Sequence, residues 1–300
     1  MSAAEAAERR PAAIILNEGA GSARTSHVRR AVEATRRLLD ADLHVTDTRD
    51  PDALAAWLAE RIHADAPYRT VVVAGGDGSL SVAYNTLAGR DLAIGYLPAG
   101  FGNATRHLLR LPRDPEDQAR VVATGEARPV DLVAANGRLA LFAGAGWDAR
   151  VAHRYARGGA HRLPGWASAV ARSVPDLWHR QRAEVRVDGR TVHSGPMELL
   201  VVGTTPFFGR GLRVNPGARP DAGRLMLRVY PGPMPLMALE MLRWVAHRRP
   251  RAVGHAGAVV ELESRDGSAV PVQVDGDVIG LSSTWRFEVR PRAVTLIGRW

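Results

Sequence analysis

TVVVAGGDGS, residues Thr70–Ser79, runs from a β-branched apolar segment directly into a glycine-rich turn. Four consecutive apolar residues read as a strand buried on both faces, the pattern of a parallel sheet. Behind the turn, Leu80, Ala83, Tyr84 and Leu87 recur at helical spacing, and Gly89 stops them. The unit is therefore strand, glycine loop, helix. Glycine lets the backbone turn tightly and approach a ligand closely. The helix start supplies N–H groups without intrahelical partners and the positive end of a dipole, which suits a polyphosphate. Taken alone, the same residues also describe a plain strand-to-helix turn with an Asp cap.

The flanking sequence repeats this alternation. Ala12–Leu16, Leu43–Thr46 and Leu92–Leu97 are short apolar runs of strand type. Between them, Val28, Ala31, Val32, Thr35, Leu38 and Leu39 fall at helical spacing, and so do Leu54, Trp57, Leu58 and Ile62 behind an Asp50-Pro51 start. The order predicts an α/β, doubly wound, mostly parallel sheet over residues 11–130, with ligands at the carboxyl ends of its strands. After about Val130 strand signals follow one another: Leu139–Ala143, Ala183–Val187, Glu198–Gly203, Arg224–Tyr230, Ala258–Glu263, Val270–Val274, Thr284–Val289 and Ala293–Ile297. The pairs Asp188-Gly189, Asp266-Gly267 and Asp275-Gly276 punctuate them as hairpin turns. Residues 131–300 are expected to form an antiparallel β-sandwich, interrupted by helices near Trp166–Arg180 and Pro235–His247. Residues 1–10 read as a disordered tail. The last strand is open to either domain.

Composition narrows the setting. The 300 residues are 46% hydrophobic and 24% charged, as in ordinary globular proteins. No apolar run approaches the ~18–20 residues of a membrane span. There are no cysteines, so disulfides and thiolate metal sites are excluded. A cytoplasmic protein is the expectation. The formal net charge of +9 attracts phosphates, nucleic acid or an anionic membrane alike, and a general bias toward Arg would also produce it. The Arg residues are scattered and carry no nucleic-acid module, so no nucleic-acid partner is expected.

Three more predicted strands end in polar or glycine-rich segments. Asn17, Gly19 and Gly21 follow the first strand, Thr48 the second, and Gly100, Phe101, Gly102 and Asn103 the fourth. With Gly75, Gly76, Asp77, Gly78 and Ser79 they make a four-loop nucleotide-binding edge. None is a Walker A motif or a Rossmann fingerprint. In this combination the chain resembles the diacylglycerol kinase catalytic family of bacterial lipid kinases and sphingosine kinases. Further segments fall in that family's order: Val130-Asp131-Leu132, GAGWDA at Gly144–Ala149, FGRG at Phe208–Gly211, Pro216–Gly223 and VDGD at Val274–Asp277.

The resemblance implies transfer of phosphate from ATP, with Mg2+, to a hydroxyl of diacylglycerol or a related lipid, within phospholipid biosynthesis. It matches Asp277 to the family's catalytic carboxylate, with Asp275 in support. Without the resemblance, Asp-Gly-Asp between two β runs is simply a hairpin turn. Asp77 is the second catalytic candidate; orienting its loop, binding through magnesium and assisting the base are all open. Asp221 is a candidate metal ligand, shifted by one from Ala222. Asp148 could face the site or cap a turn, and His107 could meet a phosphate or be an ordinary helix residue. The chain departs from the family at Glu18, Val82, Phe101, Ala104, Ala222 and Asp277. An NAD-kinase-like enzyme, which shares the Gly75–Gly78 loop, and a catalytically weakened nucleotide- or membrane-binding homologue, which these departures favour, are the alternative readings. The aromatic and basic residues of Trp166–Arg182 and around Trp244 suggest peripheral contact with the inner face of an anionic membrane, or equally helices packed on the sandwich. A homodimer is compatible with the sequence.

Overall fold

The computed structural model describes residues 11–63, 65–100, 102–157, 163–175, 181–232 and 234–300. The chain divides into two compact units, residues 11–130 with Ala293–Trp300, and Asp131–Arg292.

The first unit alternates strands and helices: β1 (Ala12–Asn17), α1 (Ser26–Leu39), β2 (Asp42–Thr46), α2 (Pro51–Arg61), β3 (Thr70–Gly75), α3 (Asp77–Leu87), β4 (Ala93–Pro98), α4 (Ala104–Leu108) and α5 (Pro115–Thr124). The strands pair in parallel in the order β2-β1-β3-β4. Side chains alternate across a strand. Ile14, Leu16, Val72, Ala74 and Leu97 therefore share one cluster with Val28 and Val32 of α1 and Val122 of α5. Ile15, Val71, Val73, Ile94 and Tyr96, of the opposite parity, are buried as well. Both faces are thus covered, which is why these strands read as continuous apolar runs. Local chemistry sets the helix starts: Thr25 accepts from Val28 N, Asp50 from Asp52 N ahead of Pro51, and Asp114 from Glu116 N and Asp117 N.

The final strand, β16 (Thr284–Gly298), belongs to both units. Its end pairs in parallel with β4, through Thr295↔Ala93 and Leu296↔Ile94. The sequence suggested two strands, Thr284–Val289 and Ala293–Ile297. They are one strand, bent where Pro291 offers no N–H and Arg292 takes a positive φ of 51°.

The second unit holds an antiparallel sheet in the order β12-β11-β10-β7-β14-β15. These strands are β7 (Phe142–Gly146), β10 (Leu199–Gly203), β11 (Leu225–Tyr230), β12 (Gly254–Gly257), β14 (Val270–Val274) and β15 (Asp277–Ser282). One face packs on β8 (Gln181–Val187), β13 (Val259–Ser264) and the first part of β16 through a core that includes Leu200, Leu227, Val260, Leu262, Val272 and Phe287. Helices α6 (Trp147–Arg157), α7 (Leu163–Ser173) and α8 (Met234–Val245) cover its other face, with Trp147, Ala169, Met237 and Trp244 in the shared core. Strands β5 (Glu126–Ala135), β6 (Arg138–Ala140) and β9 (Arg190–Met197) complete the architecture. The fold is mixed α/β, with a mostly parallel amino-terminal sheet and an antiparallel sandwich after it.

Candidate functional site

Strands β1 and β3 are neighbours, but their connections run in opposite directions along the sheet. That makes their carboxyl ends a topological switch point, where open α/β sheets bind ligands. The loops after β1, β3 and β4 meet there. Asn17, buried, donates from Nδ2 to Ser79 Oγ at 3.1 Å and accepts from Gly19 N at 3.0 Å. Ser22 reaches the β4 loop through Ala99 O, from its N–H at 2.8 Å and its hydroxyl at 2.9 Å. A Cβ on Gly100 would lie 2.7 Å from Gly76 Cα, and one on Gly75 would lie 2.7 Å from Ser79 Cβ. Two backbones therefore touch where the sequence places glycine. Gly19 is equally confined, since its Cβ would fall 2.4 Å from Asp47 O. Helix α3 begins here without a side-chain cap, so the N–H groups of its first turn face the loops.

Asp77 does not aim its carboxylate at this opening. Its Oδ2 accepts from Ala104 N at 3.1 Å and its Oδ1 from Thr105 N at 3.5 Å. The acid in the first turn of α3 thus holds the start of α4. Burial raises its pKa, and the backbone donors of Ala104 and Thr105 oppose that shift. Asn103 completes the link from a left-handed backbone position (φ 44°). It accepts from Gly100 N at 2.9 Å, donates to Gly100 O at 2.7 Å, and accepts from Tyr96 Oη at 3.1 Å. Of the three roles open for Asp77, the geometry carries the first, orienting the loop.

In the second unit, β14 and β15 form a hairpin in which Val274 pairs with Asp277. Asp275 and Gly276 turn with φ of 47° and 100°, the two left-handed positions of a type I′ turn. The hairpin reading holds, and Asp277 is the first residue of the returning strand. Asp275 faces β7, where its carboxylate accepts from Leu141 N and Phe142 N at 3.1–3.2 Å. These bonds fix the turn ahead of Asp277. Gln273 adds to this by accepting from Gly276 N at 2.7 Å, and Asp148 Oδ2 accepts from Gln273 Nε2 at 3.0 Å. Gly144 makes room for that pair, since its Cβ would sit 1.6 Å from Asp148 Oδ2. Burial raises the pKa of Asp148 to about 6, with the Gln273 bond opposing. The pKa of Asp277 is also raised, by partial loss of solvent around its carboxylate, with the nearby positive charge of Arg138 opposing.

The remaining predicted residues divide. Gly21 and Gly102 lie in the loop cluster, Gly78 lies in the first turn of α3, and Thr48 closes a local turn by accepting from Asp50 N at 3.1 Å. Phe101 lies outside the described residues. Asp221 is exposed and pairs with Arg219 Nε at 3.3 Å. Among the described residues no three His, Cys, Asp or Glu side chains gather as a cation site. The acid that orders this loop is Asp131, which is buried and accepts from Gly223 N at 2.6 Å and Arg292 N at 2.9 Å. Val130-Asp131-Leu132 marked it in the sequence; its partners, far along the chain, did not. His107 is exposed on α4, whereas Val82 and Ala104 are buried.

The profile of the diacylglycerol kinase catalytic domain matches residues 11–135, and that of the YegS C-terminal NAD kinase beta sandwich-like domain matches residues 142–298. "Probable lipid kinase YegS-like" of Pseudomonas aeruginosa strain UCBPP-PA14 is 26% identical over 269 residues, 88% of this chain and 87% of that protein. The namesake from Cronobacter sakazakii is 25% identical over 243 residues, 77% and 78% of the two chains. A diacylglycerol kinase of Mycobacterium tuberculosis strain H37Rv is 30% identical over 169 residues, 52% of each. Among solved structures, a diacylglycerol kinase from Bacillus anthracis strain Sterne superimposes with a TM-score of 0.72 at 16% identity, covering 97% of both chains. An NAD kinase from Archaeoglobus fulgidus in complex with ATP gives 0.51 at 14% identity, over 97% of this chain and 94% of that one. At these identities the structural likenesses speak for the fold alone.

Proposed function

The chain belongs to the lipid kinase family defined by the diacylglycerol kinase catalytic domain and the YegS C-terminal domain, and from that premise we propose that it transfers the γ-phosphate of ATP to a hydroxyl of diacylglycerol or a related lipid. The observation that carries this reading is the meeting of the Asn17–Gly21 and Gly75–Ser79 loops with Gly100 and Asn103 at the switch point, against the uncapped start of α3. Phosphoryl transfer asks a protein chiefly for positioning and charge stabilisation. Backbone N–H groups of these loops supply both to the phosphates of the nucleotide. The acceptor oxygen attacks the γ-phosphorus, and the bond from that phosphorus to the oxygen bridging the β-phosphate breaks. Its electron pair leaves with ADP, and the hydroxyl proton passes to the Asp277 carboxylate. A raised pKa suits Asp277 to this task, because a base works best when its pKa approaches the working pH. Asp77 and Asn103 position the loops, and Asp275, Gln273 and Asp148 position the turn before Asp277. Magnesium enters this reading as MgATP, where phosphate oxygens supply ligands.

A second reading, a homologue that binds nucleotide without transferring it, is favoured by Val82 and Ala104. Both are buried apolar residues where the family carries polar ones. One preparation separates the two. The purified protein is incubated with γ-labelled ATP, magnesium and a panel of diacylglycerol, sphingoid base and ceramide, and its melting temperature is read with and without ATP. The proposal expects label in a lipid and a higher melting temperature with ATP. Asp277→Asn should lower the transfer rate by roughly 10²–10⁴-fold while keeping the ATP effect, and Asp277→Glu should stay active. Unlabelled lipid with an intact ATP effect favours the second reading. No ATP effect removes the nucleotide site itself, and full activity in Asp277→Asn removes the proton acceptor.

A further inference from the structure

Helix α8, MPLMALEMLRWV, is apolar on nearly every side. A surface helix of a globular protein ordinarily turns a polar face to water. The inward positions of α8 are Met237, Glu240 and Trp244, all buried. The sequence left Trp244 open between a membrane anchor and a packed helix residue; it packs edge-on against Tyr230, with ring centroids 5.4 Å apart. What faces solvent is Leu236, Leu239, Leu242 and Val245, with Leu242 68% exposed. The only acid on the helix, Glu240, is turned inward, where its carboxylate accepts from Arg251 N at 3.0 Å. Two donors of Arg243, Nε and Nη2, hold Arg249 O at 2.8 and 2.6 Å. These bonds fold the segment after the helix back along it. Arg248, Arg249 and Arg251 are thereby fixed beside the apolar stripe, together with Val253, itself 69% exposed. Among the described residues, none of Arg243, Arg248, Arg249 and Arg251 forms a salt bridge. Beneath the helix, between Leu236 and Val253, lies a mostly apolar hollow of about 570 Å³.

We propose that the outer face of α8, with the arginines folded against it, docks on an anionic phospholipid bilayer. The stripe supplies leucine and valine side chains that enter the interface, and the arginines supply attraction to headgroup phosphates. A second copy of the chain fits this face less well, because a two-fold contact would bring one set of arginines close to the other and no acid faces outward on the helix to meet them. The inference concerns the surface alone and does not rest on the kinase reading.

The test uses the full chain without nucleotide, sedimented with vesicles of phosphatidylcholine alone or mixed with phosphatidylglycerol. The parent protein should bind the mixed vesicles, and added salt should weaken that binding. Leu239→Glu with Leu242→Glu should abolish it. Arg248→Ala with Arg249→Ala should weaken it roughly thirtyfold, from about fivefold per basic residue near the surface. All four positions are exposed, and an unchanged melting temperature confirms that both variants remain folded. No binding by the parent, equal binding to the two vesicle types, or unchanged binding by both variants overturns the proposal. A parent dimer that Leu239→Glu with Leu242→Glu converts to monomer overturns it too, and assigns the stripe to a second copy.

Discussion

Burial lifts the Asp148 carboxyl to a pKa of about 6, above the ordinary 3.8, because the loss of solvent outweighs the hydrogen bond from Gln273. The folded protein therefore holds this proton more tightly than the unfolded chain does. Below pH 4 both states are protonated and the group costs nothing. As pH rises from about 4 to about 6 the unfolded chain releases this proton while the folded state keeps it, and stability falls. The ceiling on that loss is about 3 kcal/mol, from a shift of about two units at 1.4 kcal/mol each. Asp148→Asn keeps an acceptor for Gln273 and removes the titration. Urea denaturation at pH 5 and pH 7 should show the parent losing more stability over that interval than the variant does. Equal losses in both would mean that the carboxyl is well solvated. At this scale the sequence was partly legible. GAGWDA marked Asp148 as a candidate and VDGD marked Asp277. That Gly144 must be glycine to admit Asp148 beside Gln273 could not be read, because the partner lies 125 residues further on.

Elements became legible wherever one face or one turn carried the signal. Continuous apolar runs gave β1, β3 and β4, and the Asp50-Pro51 start gave α2. Strand β9 escaped, because RTVHSGPM is polar and contains Gly195 and Pro196, which ordinarily argue against a strand. Helix α4, five residues long, offers too little periodicity to read. Its position depends on another element, since Asp77 at the start of α3 supplies the acceptor for Ala104 N. Asp77→Asn tests that dependence. An amide offers one acceptor oxygen where the carboxylate offers two, so one of the N–H groups of Ala104 and Thr105 loses its partner. A buried donor left unpaired costs about 1–3 kcal/mol. The variant should lose that much in urea denaturation with an unchanged slope, and its melting temperature should rise less with ATP because the Gly76 and Gly100 loops are no longer held together. Unchanged stability would free Asp77 from the clamp and return it to the list of residues facing the ligand.

Across the whole molecule the chain passes between its two units twice, after Val130 and after Arg292. The sequence left the second passage open, since Ala293–Ile297 is an apolar strand signal that either sheet could use. The crossing is built from residues with other local meanings. Pro291 ends the ladder, Arg292 takes its positive φ, and the N–H of Arg292 goes to the buried Asp131 at the first crossing. The returning segment is then tied into the nucleotide-binding unit. Gly89 N donates to Ala293 O, Arg299 N to Leu109 O, and Trp300 Nε1 to Glu126 O. Val294, Leu296 and Ile297 are buried there. At about 1.5–3 kcal/mol for each buried aliphatic side chain, these three contribute roughly 5–9 kcal/mol, an upper figure because the unfolded chain already hides part of that surface. A whole domain is stable by only about 5–15 kcal/mol. Deletion of residues 293–300 should therefore unfold the first unit, although every glycine loop remains in the chain. Circular dichroism should show a loss of helical signal, and ATP should no longer raise the melting temperature. Retention of the ATP effect in the truncated chain would show that the β2-β1-β3-β4 sheet stands without its fifth strand, and that the return of the chain serves something other than holding the nucleotide site together.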